Sequence, residues 1–405
     1  MLNRDFWIYR CGQFLSAIGD ACGSMALVWW VLDFSGSASI LIELFIPSLV
    51  VRIIAPFLMG SLADKVERKW LAAIGTTISA LGSIGLLYLF LSGITSLPLI
   101  TVSYLISTLG VTLFSVSAAG ILVNIVPSEQ FGEALRQSQL ISGVATIAGG
   151  VLSGALIYQF GIAAAFAVDI TTFIIAIVSL TMIQAPTLEN GTRKSPHSHI
   201  GWLRGFLEDI VESINLIRFS TKIQSILLLS LVANFVFAPL PVIIPVLVKI
   251  ESNLPAWYLG LLESMVSIGI ISSSLMLVSI NRYWSKTQLL PISFLIMSIA
   301  YLCLSIPSYY GAIVSFAVLG IGVGFASMLI SELIAYAVTD EFRCRFSSLT
   351  VTFQGCARVC ALMLSGFGID SEGCYTILLL MGVSLLVFSG LILLLPEIKF
   401  KQTLE

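Results

Sequence analysis

The amino-acid sequence predicts an all-α membrane protein of twelve transmembrane helices, arranged as two parallel six-helix repeats. Three observations carry this expectation. Charge is scarce: only 10% of the 405 residues are Asp, Glu, Lys or Arg, 58% are hydrophobic, and the mean hydropathy is +1.02. A soluble domain carries about 25% charged residues, so most of this surface faces lipid. Apolar runs long enough to cross a bilayer recur along the whole chain, separated by turn and charge signals. Finally, Val126, Glu129, Gly143, Ala145, Ser153 and Gly154 recur as Val338, Glu341, Gly355, Ala357, Ser365 and Gly366, each 212 positions later. Leu41, Ile42 and Glu43 are likewise echoed by Leu261, Leu262 and Glu263 at another offset.

Taken in order, the runs cover residues 8–33, 39–61, 70–91, 97–120, 136–158 and 161–183, then 223–249, 257–280, 287–307, 310–337, 346–369 and 374–395. Each supplies the ~20 apolar residues that a helix needs to span the hydrocarbon core. The first run is too long for the apolar part of a signal peptide and has no small-residue cleavage pattern behind it, so it is read as a helix. The halves are residues 1–184 and 223–405, joined by a linker over 185–222. The linker begins with PTLENGTRKSPHSH, rich in turn formers. Trp202, Phe206, Ile210, Ile214 and Ile217 follow at helical spacing with Arg and Glu between, predicting an amphipathic helix on the inner membrane surface. Pro239, Pro241 and Pro245 break the seventh helix, and Gly320, Gly322 and Gly324 allow close packing or bending of the tenth.

Orientation follows from the cations. Of the twenty Lys and Arg, Arg52 and Arg358 lie within spans, Lys249 falls at one side, and all the others fall on the opposite side. Cationic loops are retained in the cytoplasm, so both termini are expected there. A net charge of −2 offers no nucleic-acid surface. The seven cysteines sit mostly in apolar runs and do not spell a disulfide framework. Cys356 and Cys360, with Met363 nearby, fit packing or an incomplete soft-metal site. With no Gly-rich phosphate loop, zinc spacing or nucleophile elbow, the sequence predicts no enzyme, no cofactor and no metal centre.

One stretch is dense in charge. GSLADKVERK, residues 60–69, follows the second span and resembles the G-x-L-x-D-(R/K)-x-(G/D/E)-R-(K/R) loop signature of the major facilitator superfamily. Gly60 permits close helix approach, and in that fold the neighbour is the eleventh helix. Asp64 is placed to meet the positive N-terminal end of that helix, and Arg68 to pair with Asp64 or Glu133. Gly60, Asp64 and Arg68 then form a cytoplasmic gating latch; the plainer reading makes the cations membrane anchors. The second-half counterpart NRYWSKTQ, from Asn281, keeps Arg282 and Lys286 but lacks the Gly and the Asp.

GQFLSAIGDACGSMAL from Gly12, VPSEQFGEALRQSQ from Val126, AAFAVDITTF from Ala164 and DEFRCRFSSL from Asp340 are similar to the macrolide-efflux and siderophore-exporter branch of that superfamily. The resemblance covers most of the chain. It implies the major facilitator fold, a multi-pass protein of the bacterial inner membrane, a monomer, a small-molecule substrate and protons as the driving ion. Two departures stand out. Antiporters of the superfamily carry Gly-Pro in the fifth helix where this chain has Gly149 and Gly150 without a proline, and Cys344 takes the place of a usual Gly.

An ionisable group near the bilayer centre costs roughly 2.5–3.5 kcal/mol on insertion scales, so each needs a partner or a function. Asp20, Arg52 and Arg358 lie near the middles of the first, second and eleventh helices. Asp169 lies outside the centre of the sixth, and Glu43 and Glu263 lie near the outer ends of the second and eighth. Asp20 and Arg52 are level on consecutive antiparallel helices, which fits a structural ion pair. The resemblance adds Arg358 beside them, and two guanidiniums against one carboxylate call for an anionic substrate. The only histidines, His197 and His199, are in the linker, so a carboxylate must carry the proton: Asp20 first, then Glu43 and Glu263. Asp169 is expected to be structural or to join the coupling. Together these residues suit export of an acidic, amphipathic molecule such as a siderophore. Macrolide-type or multidrug efflux is the alternative; uptake, lipid flipping or a non-transporting sensor would use the same fold.

Overall fold

The computed structural model describes residues 3–63, 66–184, 221–280, 284, 286–337 and 340–393. Its elements are all helical: α1 (Arg4–Ser35), α2 (Ala38–Ala63), α3 (Arg68–Leu91), α4 (Leu97–Ile125), α5 (Phe131–Phe160) and α6 (Ile162–Thr181) in the first half. The second half holds α7 (Thr221–Phe237), α8 (Leu240–Val246), α9 (Ala256–Ile280), α10 (Lys286–Leu304), α11 (Tyr309–Ala337), α12 (Asp340–Glu372) and α13 (Cys374–Leu393). Among the described residues, eleven helical spans are long and apolar enough to cross a membrane, and a shorter one, Gln288–Leu304, stands at the ninth expected position. Large apolar side chains such as Leu275 (74% exposed) and Phe367 (70%) point outward, as on a surface solvated by lipid.

Local chemistry sets the ends. Asn3 caps α1 by accepting the Phe6 amide at 3.0 Å and donating to the Ile125 carbonyl at 2.5 Å, which ties the start of α1 to the end of α4. At the other end Gly36 adopts φ +62°, a left-handed turn that closes the helix cheaply only without a Cβ. Pro127 leaves Val126 extended, ending α4 before the short 3-10 turn Ser128–Gln130.

The seventh span breaks as its prolines predict. α7 stops at Phe237, and Pro239 and Pro241 have no N–H with which to continue the ladder. Pro245 lies within α8, and the backbone then widens into a π-helical segment, Leu247–Glu251, closed by the Ser252 amide on the Leu247 carbonyl at 3.0 Å.

The chain divides into two compact units: Met1–Thr192 with Val242–Ser264, and Arg193–Pro241 with Met265–Glu405. In the first, α3 packs on α4 and α6, and α1 packs on α5 and α6. In the second, α10 packs on α11 and α13, and α7 packs on α12. Third helix on fourth and sixth, first on fifth: the same relation holds in each half, as a parallel repeat requires.

Val242–Ser264 joins the first unit through direct backbone contact. A Cβ on Gly260 would stand 2.1 Å from the Gly150 carbonyl oxygen, and one on Gly154 would stand 2.7 Å from that of Ala256. The Ser264 hydroxyl donates to the Ile147 carbonyl at 3.1 Å. The glycines of the fifth helix thus give tight packing without the family's proline. Lys249, from the π-helical segment, clamps the end of α1 by donating to Asp33 at 2.7 Å and to the Trp29 carbonyl at 2.8 Å, with its ammonium 4.5 Å from the Trp29 ring. The expected linker helix, with His197 and His199, lies outside the described residues.

Candidate functional site

Within the first unit, α1 carries Gly12, Gly19 and Gly23 along one face, against Ser179, Thr172 and Asp169 of α6. At Gly23 a Cβ would stand 2.4 Å from a carboxylate oxygen of Asp169. A small residue there is what lets an ionisable group sit between two membrane helices. Asp169 is 4% exposed and accepts from the Ser83 hydroxyl of α3 at 2.7 Å through Oδ2. Its other oxygen, Oδ1, is buried with no hydrogen-bond partner.

Asp169 lines a cavity of about 200 Å³ that Asp20, Arg52, Ser83, Tyr104 and Thr108 also face. Three of the residues singled out from sequence therefore meet in one place. The charge of Arg52 acts on Asp20, and that of Asp20 acts in turn on Asp169. Arg52 and Asp20 do not close into a contact ion pair, so the simple structural pair is not the arrangement found among the described residues. Two carboxylates and one guanidinium share a space in which any unbalanced charge is costly.

Arg358, on α12, belongs to the second unit. Its Nε and Nη2 donate to Asn234 Oδ1 of α7 at 2.9 and 2.7 Å. Asn234 in turn donates to the Ser230 carbonyl at 2.9 Å, and Gln354 donates to the Ser230 hydroxyl at 2.5 Å. The guanidinium is exposed and held by a neutral amide, and among the described residues no carboxylate pairs with it. An amide oxygen orients the charge without cancelling it.

The other expected residues are placed less tellingly. Glu43 is exposed on α2, and Glu263 is half-buried on α9. Gly60 lies in the last turn of α2, and Asp64 lies outside the described residues. Arg68 begins α3, its guanidinium laid over Gly120 of α4, where a Cβ would stand 2.0 Å from Nη1. Glu133 is not its partner: that carboxylate is held by Arg136 at 2.9 and 3.0 Å and by Gln137 at 3.0 Å. The pairing fails because a one-turn neighbour on the same helix reaches Glu133 first.

Sequence reasoning passed over Ser83, Thr108 and Asn234. Hydroxyls are common in membrane helices and most bond their own backbone, as Thr112 does to Thr108 O at 2.7 Å. Asn234 carried a usable signal, an amide in the middle of the apolar run of the seventh span.

A duplicated helical bundle with ionisable groups drawn into its apolar interior is the architecture of a membrane transporter for small molecules. The chain belongs to the Major Facilitator Superfamily, whose profile matches residues 11–286. It is similar end to end to macrolide efflux protein A of Streptococcus pyogenes, 21% identical over 401 residues, covering 97% of this chain and 96% of that protein. The synaptic vesicle 2-related protein of Rattus norvegicus is 30% identical over 192 residues, 47% of this chain and 35% of that one. Among solved structures, a mutant of the nucleoside transporter NupG matches with a TM-score of 0.78 at 12% identity, over 96% of this chain and 99% of that one. A bacterial homologue of the iron transporter ferroportin in an inward-facing state matches with a TM-score of 0.76 at 15% identity, over 97% and 98%. Likeness at such identities establishes the fold.

Proposed function

We propose that this protein is a proton-coupled exporter of an amphipathic, acidic small molecule, such as a siderophore, in the inner membrane of a bacterium. It works as a monomer with both termini in the cytoplasm, by alternating access of the halves 1–184 and 223–405 about the linker 185–222. The observation that carries the acidic substrate is Arg358, a guanidinium within a membrane helix whose partner is the neutral Asn234. A fixed, uncancelled positive charge favours a carboxylate and disfavours a cation. Asp20, beside Arg52 in the first unit, is the proton carrier: a carboxylate in that setting takes up and gives back a proton as its neighbours change. Glu43 and Glu263 are the next candidates for that role. Gly60, Asp64 and Arg68 act as the cytoplasmic latch.

The end-to-end similarity to macrolide efflux protein A favours a second reading, export of a macrolide-type antibiotic. Inside-out membrane vesicles separate the two. With a pH gradient imposed, a labelled carboxylate-bearing siderophore should accumulate, collapse of the gradient should abolish accumulation, and Arg358→Ala should remove it. Accumulation of a labelled macrolide in place of the siderophore would make the protein a drug pump and return Arg358 to a packing role.

A further inference from the structure

We infer that the cavity of the first unit holds a single sodium ion, seated on Asp169 and Thr108. Two buried oxygens on residues that line that cavity are orphaned. Asp169 Oδ1 and Thr108 Oγ1 have no hydrogen-bond partner, although their side chains are 4% and 1% exposed. Buried oxygens are almost always satisfied, and two such exceptions on residues that line one cavity point to a ligand there. Both residues line the cavity of about 200 Å³, which is roomy enough for an ion with water at about 30 Å³ apiece.

Charge and donor chemistry select the occupant. The groups that face the cavity or adjoin it are Asp20, Arg52, Tyr104, Asp169 and the buried thiol Cys22. Arg52 balances Asp20, and Asp169 is left with one negative charge and a neutral donor, Ser83, as its side-chain partner. One positive charge is missing, so the occupant is monovalent. A proton on Asp169 would cancel the charge but leave Thr108 orphaned, because no hydrogen bond joins the two side chains. A sodium ion, with water filling its shell, satisfies both oxygens at once. Carboxylate and hydroxyl oxygens are the hard donors it takes. Gly23 is part of the seat, since its missing Cβ leaves the space that the Asp169 carboxylate occupies.

The test needs no transported substrate. Purified full-length protein is titrated with radiolabelled sodium at fixed ionic strength, with choline as the replacement ion. The wild type should bind one sodium ion per chain, saturably. Asp169→Asn, which can still accept from Ser83, should abolish binding. Thr108→Val, which keeps the shape and removes one ligand, should weaken it roughly tenfold, the scale of one lost polar contact. Absence of saturable binding in the wild type would overturn the proposal and leave the cavity to water or a proton. Binding unchanged by both substitutions would overturn this placement of the ion. Either result leaves the export reading untouched, just as a failure of export leaves this site standing.

Discussion

The two halves share one pattern of helix packing but resolve their buried polar groups in different ways. In the first, Asp20, Arg52 and Asp169 face a common cavity and one carboxylate oxygen remains unsatisfied. In the second, Arg358, Asn234, Ser230 and Gln354 form a chain of hydrogen bonds with no carboxylate in it. On the proposed reading the first region exchanges small cations, because its charges change balance when a proton or ion comes and goes. The second has a fixed charge that no carboxylate pairs with among the described residues. On the proposed reading, the duplicated fold divides its work, with coupling in one half and an anchor for an anion in the other.

Substitutions that strike one region and spare the other test this division. The largest effect is expected at Arg358. Arg358→Ala should cut the initial transport rate of a carboxylate-bearing substrate in vesicles roughly 30-fold or more, equivalent to ~2 kcal/mol of lost charge pairing, and leave a neutral analogue unaffected. Next comes Gly23→Ala, which drives a methyl group into the Asp169 carboxylate and should cost about 1–3 kcal/mol, read as a lowered thermal unfolding midpoint. Gly132→Ala is the control: apart from its chain neighbours and its own helix backbone, nothing lies within 4 Å of a Cβ there, so the same assay should register no loss. Ser83→Ala strips Asp169 of its side-chain donor and should cost about 1 kcal/mol. Lys249→Met should have the smallest effect, about 0–1 kcal/mol, since Asp33 is 66% exposed and water screens the pair.

Much of this was legible in the sequence. The spans, the duplication and the broken seventh helix follow from apolar length, a repeated set of small residues and three prolines, because a bilayer leaves the backbone few options. Asp20, Arg52, Asp169 and Arg358 stood out for the same reason: charge is rare in such helices and therefore visible. What the sequence concealed is which charges meet. Asp20 and Asp169 are far apart in the chain and share a cavity because Gly19 and Gly23 bring α1 onto α6. Thr108, an uncharged hydroxyl, gave no warning, and Glu133 was one of two partners open to Arg68 because loop charges can find several partners at similar cost.

The division of work is tested most directly by comparing two activities of reconstituted protein, gradient-driven accumulation and substrate exchange without a gradient, in Asp20→Asn and in Arg358→Ala. Asp20→Asn should lose accumulation and keep exchange, since the substrate seat survives while the proton step does not. Arg358→Ala should lose both. If Asp20→Asn still accumulates substrate against its gradient, or if Arg358→Ala exchanges it at the wild-type rate, the assignment of coupling to the first half and substrate to the second is wrong.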